Sequence, residues 1–302
     1  MQRKEYRFLL CVPLLIAAAG CGSTATLERF QTFADAGTQY TTTVGNLLSD
    51  SNASGLPTLL VDANSVRLLD SRQLAPVSEA DFRQQDENMR RQLRDLRLLK
   101  SEVDLLGQYF SALASLADSN TSDTIANQLG DIGSSLSSLA KTLGDTNTLA
   151  TDSTLVGTVT KDTGKVVVKG VQAHRLRKEL ETHGADIANV LHQQAQMLKA
   201  LTALAERAQS FLNQQSYEQN VVAPFLAGTT SSTWEQDRLA GLLQMPIPES
   251  LQAALQAAAS LRIAWASLLA DELDADELAA VRRPLTTIDA LQEKSSTSSS
   301  GK

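Results

Sequence analysis

From Leu176 to Phe211 the chain reads LRKELETHGADIANVLHQQAQMLKALTALAERAQSF, and one set of positions recurs through it: Leu176, Leu180, His183, Ile187, Val190, Gln194, Met197, Leu201, Leu204, Ala208 and Phe211. The steps between them alternate four and three. An α-helix of about 3.6 residues per turn keeps such positions on one face, which is the spacing of a coiled-coil seam. No proline interrupts the stretch, so it predicts one long helix with a single buried stripe. His183 and Gln194 fall inside that stripe, where polar residues commonly fix the register of one helix against another.

The same alternation appears on either side. Ile125, Leu129, Ile132, Leu136, Leu139 and Leu143 form a second seam, and Gly130, Gly133, Ser137 and Gly144 offer small positions where another helix can come close. A third helix is predicted to start at Ser78 after Pro76, with Asp81 completing a weak capping box. It carries Phe82, Met89, Leu93, Leu96, Val103, Phe110 and Ala117 on its inner face. Leu27, Phe30, Ala34, Val44 and Leu48 mark a first helix, and Leu56 to Leu69 a shorter one opened by Pro57. Beyond the long helix, Pro224, the run from Gly228 to Thr233, and Met245-Pro246-Ile247-Pro248 are connections. An Ala/Leu-rich helix follows around Leu251 to Leu269. Asp274 and Glu277 cap a last one, expected to be interrupted at Pro284. The fold class is therefore all-α, an elongated multi-helix bundle with coiled-coil-like packing. Its bundle spans 27–223, a C-terminal helical segment at 224–292 packs on it, and a serine-rich tail at 293–302 is expected to be disordered.

One segment breaks the helical period. Leu155 to Thr160 and Lys165 to Val171 are rich in β-branched residues around a turn at Lys161-Asp162-Thr163-Gly164, which reads as a small β-hairpin at 154–171. Val156, Val159, Val166, Val167 and Val168 would be its apolar contact residues, toward a membrane or a partner. A hairpin set between two long helices resembles, in architecture only, the tongue of the ClyA-like α-pore-forming toxins. That resemblance implies a membrane-active bundle as the alternative function. Lys161, Asp162, Lys165 and Lys169 make the segment wetter than a membrane-inserting tip, which favours a simple connector. Gly157 with Gly164-Lys165 does not make a phosphate-binding loop, because the first glycine stands too early and Val166 occupies the place of the metal-binding Ser or Thr.

At the N-terminus, Arg3, Lys4 and Arg7 precede an apolar run from Phe8 to Ala19. This is the layout of a secretory signal, 1–20, and is shorter than the ~20 apolar residues that cross a bilayer. Its end, Ala18-Ala19-Gly20-Cys21, resembles the lipobox of bacterial lipoproteins. The resemblance implies cleavage between Gly20 and Cys21, lipid on Cys21, a short tether at 21–26, and stable membrane anchoring by several acyl chains. With Gly22-Ser23 after the cysteine, it implies the outer membrane, facing the periplasm. Cys11 would leave with the signal and Cys21 would be consumed, so no free thiol is expected in the mature chain.

Composition narrows the function further. The 302 residues are 42% hydrophobic, enough for a substantial core. Losing Arg3, Lys4, Arg7 and Glu5 leaves 24 basic and 33 acidic residues, a net charge of -9, which disfavours nucleic acid. With 4% aromatic residues, only Trp234 and Trp265 could anchor a ring-lined cleft. His174, His183 and His192 are nine apart, which at ~100° per residue puts neighbours on opposite faces of one helix, so no metal site is expected from them. Asp271, Glu272, Asp274, Asp276 and Glu277 lack the spacing of a calcium loop. Arg83, Arg90, Arg94 and Arg97 share a helix face and read as a solvated stripe paired with acids four residues away. No catalytic set and no cofactor is expected. The reading that remains is a non-catalytic adaptor, scaffold or spacer that binds other envelope proteins.

Overall fold

The structure is a computed structural model that describes residues 12–49, 56–74, 77–117, 123–146, 171–243 and 249–299. Nine α-helices and one π-helical turn make up the described residues: α1 (Val12–Leu47), α2 (Leu56–Leu74), α3 (Glu79–Ala117), α4 (Asp123–Thr146), α5 (Val171–Tyr217), the π turn (Glu218–Val222), α6 (Ala223–Leu226), α7 (Trp234–Leu243), α8 (Glu249–Leu269) and α9 (Ala275–Ser299). No strand occurs among them. The hairpin expected at 154–171 lies outside the described residues except for Val171, which opens α5 as helix.

The seams behave as their spacing demands. On α5, Leu176, Leu180, Ile187, Val190, Gln194, Met197, Leu201 and Ala208 are buried, and His183, Leu204 and Phe211 are partly so. Leu129, Ile132, Leu136 and Leu143 are buried on α4. Six helices form the main body. α1 packs on α3 and α9, α4 bridges α3 and α5, and α8 fills the space between α5, α9 and α1. Strand-like layering plays no part; every layer is helix on helix.

Contacts between named residues fix the directions. A Cβ at Gly37 would stand 2.5 Å from the Phe110 ring, and one at Gly107 would stand 2.7 Å from the Thr41 hydroxyl, so α1 and α3 run antiparallel at close approach with a small residue on each side. Gly133 faces His183, and the Gln193 amide donates to the Ala140 carbonyl at 2.9 Å, which makes α4 and α5 parallel. The Gly130/Gly133 face of α4 is thus where α5 approaches. Trp265 centres the body: its indole N–H donates to the Gly184 carbonyl at 3.0 Å, and its ring lies 5.5 Å from Phe33 and 6.4 Å from Tyr109. Segment 224–292 accordingly divides, with α8 and α9 completing the main core while α6 and α7 pack elsewhere.

Above this body, α2, the first half of α3 and the last part of α5 continue as a three-helix extension. Phe82, expected on the inner face, is exposed there, because nothing covers the first turns of α3 on that side. The Ser78 cap is present: its hydroxyl accepts the Asp81 N–H at 3.1 Å and donates to the Asp81 carboxylate at 2.7 Å. Past α5, the π turn leads into α6, which closes with Gly228 at φ 68° as Thr229 N–H returns to the Pro224 carbonyl at 2.9 Å. α7 then folds back on α5, and Trp234 donates to the Val221 carbonyl at 2.9 Å.

Residues 21–26, read as a short tether, are helical within α1, which runs unbroken from Val12 to Leu47. The chain after Gly22 holds no helix breaker until Gly37, so a helix once nucleated propagates through it. α9 passes through Pro284 without interruption, held by buried Val281, Leu285 and Ile288 around it. The helix also reaches Ser299, into the tail expected to be disordered. Serine lowers helix propensity only by a few tenths of a kcal/mol per residue, so an established helix extends through it.

Candidate functional site

Gly20 and Cys21 sit within helical backbone near the start of α1, about six residues before the first side chain of the body at Leu27, roughly 9 Å at ~1.5 Å per residue. Val156, Val159, Val166, Val167 and Val168 lie outside the described residues. No described helix is long and apolar enough to cross a membrane.

The interior holds a polar group that the seams only partly announced. Glu102 of α3 is completely buried, and neither carboxyl oxygen has a hydrogen-bond partner. Gln194 of α5 lies beside it and accepts the Tyr40 hydroxyl of α1 at 3.2 Å through its amide oxygen. The Gln194 amide nitrogen points toward Glu102 without reaching hydrogen-bond geometry. Burial pushes the Glu102 carboxyl up to about 8, with the Gln194 amide opposing that slightly. The Tyr40 hydroxyl is raised by its own burial and then by the charge of Glu102. At neutral pH the group is an uncharged Glu102 locked between three helices. It lines neither of the grooves described below.

A second polar group lies nearer the base. Glu179 is raised chiefly by burial, offset by His183 and the Tyr109 hydroxyl. His183 Nδ1 lies 4.0 Å from the Asp186 carboxylate, and its ring rests on the Gly133 face of α4. This is the interface position its place in the seam implied. His192, a half-turn round the helix, accepts the Arg262 guanidinium at Nδ1, 3.1 Å away. Among the described residues no three His, Cys, Asp or Glu side chains gather in a way that could hold a metal ion. The acidic group near 271–277 is used locally: Asp271 pairs with Arg29 at 3.4 Å, Asp274 caps α9 through the Glu277 N–H at 2.8 Å, and Glu277 accepts from Ser267 at 2.7 Å. On α3, Arg83 pairs with Glu79 at 2.6 Å and Arg90 with Asp86 at 3.0 Å, while Arg91 donates to Asn88 at 2.6 Å. Of the two tryptophans, Trp265 is sealed in the core, and Trp234 is stacked on Phe225 at 5.5 Å and covered by Arg238 at 5.7 Å.

Two of the grooves formed by the described residues are the best defined. One, of about 480 Å³, lies between α1, α3 and α4 and is lined largely by hydroxyls and amides, including Thr38, Thr41, Thr42, Ser111 and Gln128. Its one charged residue, Asp104, pairs with Lys100 at 2.7 Å. The other, of about 410 Å³, lies in the extension between α2, α3 and α5.

The largest departure from an ordinary soluble surface is elsewhere. Phe225 is 61% exposed, Leu226 78%, Leu239 57% and Leu242 64%, all on α6 and α7. Val61, Leu69 and Phe82 are exposed on α2 and α3. Of the eight exposed large apolar side chains among the described residues, three thus lie on the three-helix extension and four on α6 and α7, with Ile263 on α8 the exception. α1 and α5 run parallel, with Gln194 beside Tyr40, so Tyr217 at the top of α5 stands about 40 residues of helical rise above Cys21. That is roughly 60 Å. No protein-family model, no curated protein and no solved structure matches the chain.

Proposed function

We propose that the protein is a lipid-anchored, non-catalytic spacer and adaptor of the bacterial cell envelope. Lipid on Cys21 holds the base of α1 at the periplasmic face of the outer membrane, and the far end of the bundle binds another envelope protein. The observation that carries this reading is the position of the exposed apolar side chains. A folded surface that leaves Phe225 and Leu226 on α6 and Leu239 and Leu242 on α7 exposed is of the kind that marks a contact with another macromolecule. Its separation from Cys21 is what a spacer requires.

One feature of the interior fits the non-catalytic part. The one strongly shifted carboxyl, Glu102, is sealed away from both grooves, and its neighbours Tyr40 and Gln194 are buried with it. The acidic mature chain also suits a protein partner better than a nucleic acid.

Proximity labelling in intact cells tests the reading, with wild type, Cys21→Ala and the double variant Leu226→Asp/Leu242→Asp compared. Wild type is expected to sit in the outer-membrane fraction with a reproducible set of neighbours. Cys21→Ala should lose the membrane, and the double variant should keep the membrane and lose the neighbours. Neighbours that survive in the double variant would place the contact elsewhere; a wild type that fractionates as soluble protein would remove the anchor.

A further inference from the structure

The groove in the extension is built unlike the rest of the surface. Its floor is apolar: Leu60, Ala63 and Ala208 are buried, and Met89 and Leu204 are partly covered. Its rim carries two exposed guanidinium groups, Arg67 and Arg207, and no acidic residue is among the side chains that line it. The remaining polar lining is amide: Asn64, Gln85, Asn88 and Gln92.

Two contacts organise these groups toward donation. Arg67 stands 5.2 Å over the Phe211 ring, which steadies the guanidinium at the rim while leaving its N–H edge able to donate. Arg91 donates to the Asn88 amide oxygen at 2.6 Å, so the part of that amide left to act further is its NH2 group. A volume of about 410 Å³ lies within the range of small-molecule sites, which combine an apolar lining with a few convergent polar groups.

We propose that this groove binds an amphiphilic carboxylate, with a short acyl-type chain on the apolar floor and the carboxylate on the Arg67 guanidinium at the rim. Arginine is suited to this because its planar fork meets both carboxylate oxygens at once. The site is independent of the adaptor reading: it faces the space between α2, α3 and α5 and uses none of the exposed residues of α6 and α7.

Isothermal titration of the full chain, carrying Cys21→Ala in every sample, with octanoate, octanol and inorganic phosphate tests the proposal. Octanoate is expected to bind at least about tenfold more tightly than either of the others, since neither charge nor chain alone matches the groove. Arg67→Gln and the isosteric Asn64→Asp should each weaken octanoate at least about tenfold. Both positions lie at or near the surface, and an unchanged thermal midpoint without ligand confirms that each variant is folded. Equal binding of octanol removes the role of the Arg67 guanidinium, and equal binding of phosphate reduces the groove to a general anion site. Absence of octanoate binding, or binding that neither variant changes, overturns the proposal.

Discussion

Replacing Glu102 by Gln perturbs the interior at one atom and keeps its shape. Burial raises the Glu102 carboxyl from 4.5 to about 8, so its protonated form is the one that the folded state accommodates. For a group whose folded value lies above its unfolded value, the stabilising contribution is complete below about pH 4.5 and is lost as pH rises through about 8. Each pH unit in that window corresponds to ~1.4 kcal/mol, so wild type should lose on the order of 5 kcal/mol across it. Glu102→Gln, which cannot ionise, should escape that loss. The variant should be within about 1 kcal/mol of wild type near pH 5, and more stable by roughly 3 kcal/mol near pH 7 and more near pH 8. Urea unfolding followed by circular dichroism at those pH values measures it, with equal slopes showing that the same surface is exposed in each case. If the two proteins keep parallel stability curves from pH 5 to 8, the carboxyl titrates normally and the sealed-interior argument is wrong.

Other substitutions probe the remaining supports. Trp265→Ala should cost about 3–5 kcal/mol, because it removes the ring between Phe33 and Tyr109 and leaves the Gly184 carbonyl without the indole donor; thermal unfolding reads it directly. Ser78→Ala should cost about 1 kcal/mol by removing the cap of α3, and Ser78→Asp should restore most of it. Gly228→Ala meets no atom within 4 Å, so its cost of roughly 1 kcal/mol comes only from the left-handed backbone, and faster proteolysis near α6 would register it. His192 is lowered by burial and then by Arg262, so its contribution is present above its ordinary value of 6.5 and lost as pH falls below it. Relative to wild type, His192→Gln should therefore gain stability on moving from pH 7 to 5, in paired unfolding curves.

Helix placement was legible because the signal is periodic and the packing repeats it. The alternation through Leu176 to Phe211 needed only a partner, and the small residues Gly130 and Gly133 pointed to one of the surfaces that meets it. Capping was equally readable, since Ser78 with Asp81 and Asp274 with Glu277 are local devices. What the pattern could not carry was context. Phe82 matched the inner face of α3 but stands beyond the helices that would have covered it. Pro284 reads as a break in isolation, yet the apolar residues around it are held by α1 and α8. The Glu102 group was invisible because Glu102, Gln194 and Tyr40 come from three distant helices and Glu102 has the composition of a surface position. The groove at Arg67 and Arg207 escaped for the same reason: its residues are ordinary along the chain and acquire a common charge character only when α2, α3 and α5 meet.

The central claim is that this helical bundle is held to a membrane through Cys21. Mass spectrometry of the N-terminal peptide from the native protein tests it most directly. The account predicts a mature chain that begins at Cys21 and carries diacylglyceryl and acyl mass, absent in Cys21→Ala. A chain that begins elsewhere, or an unmodified Cys21 thiol, would contradict it.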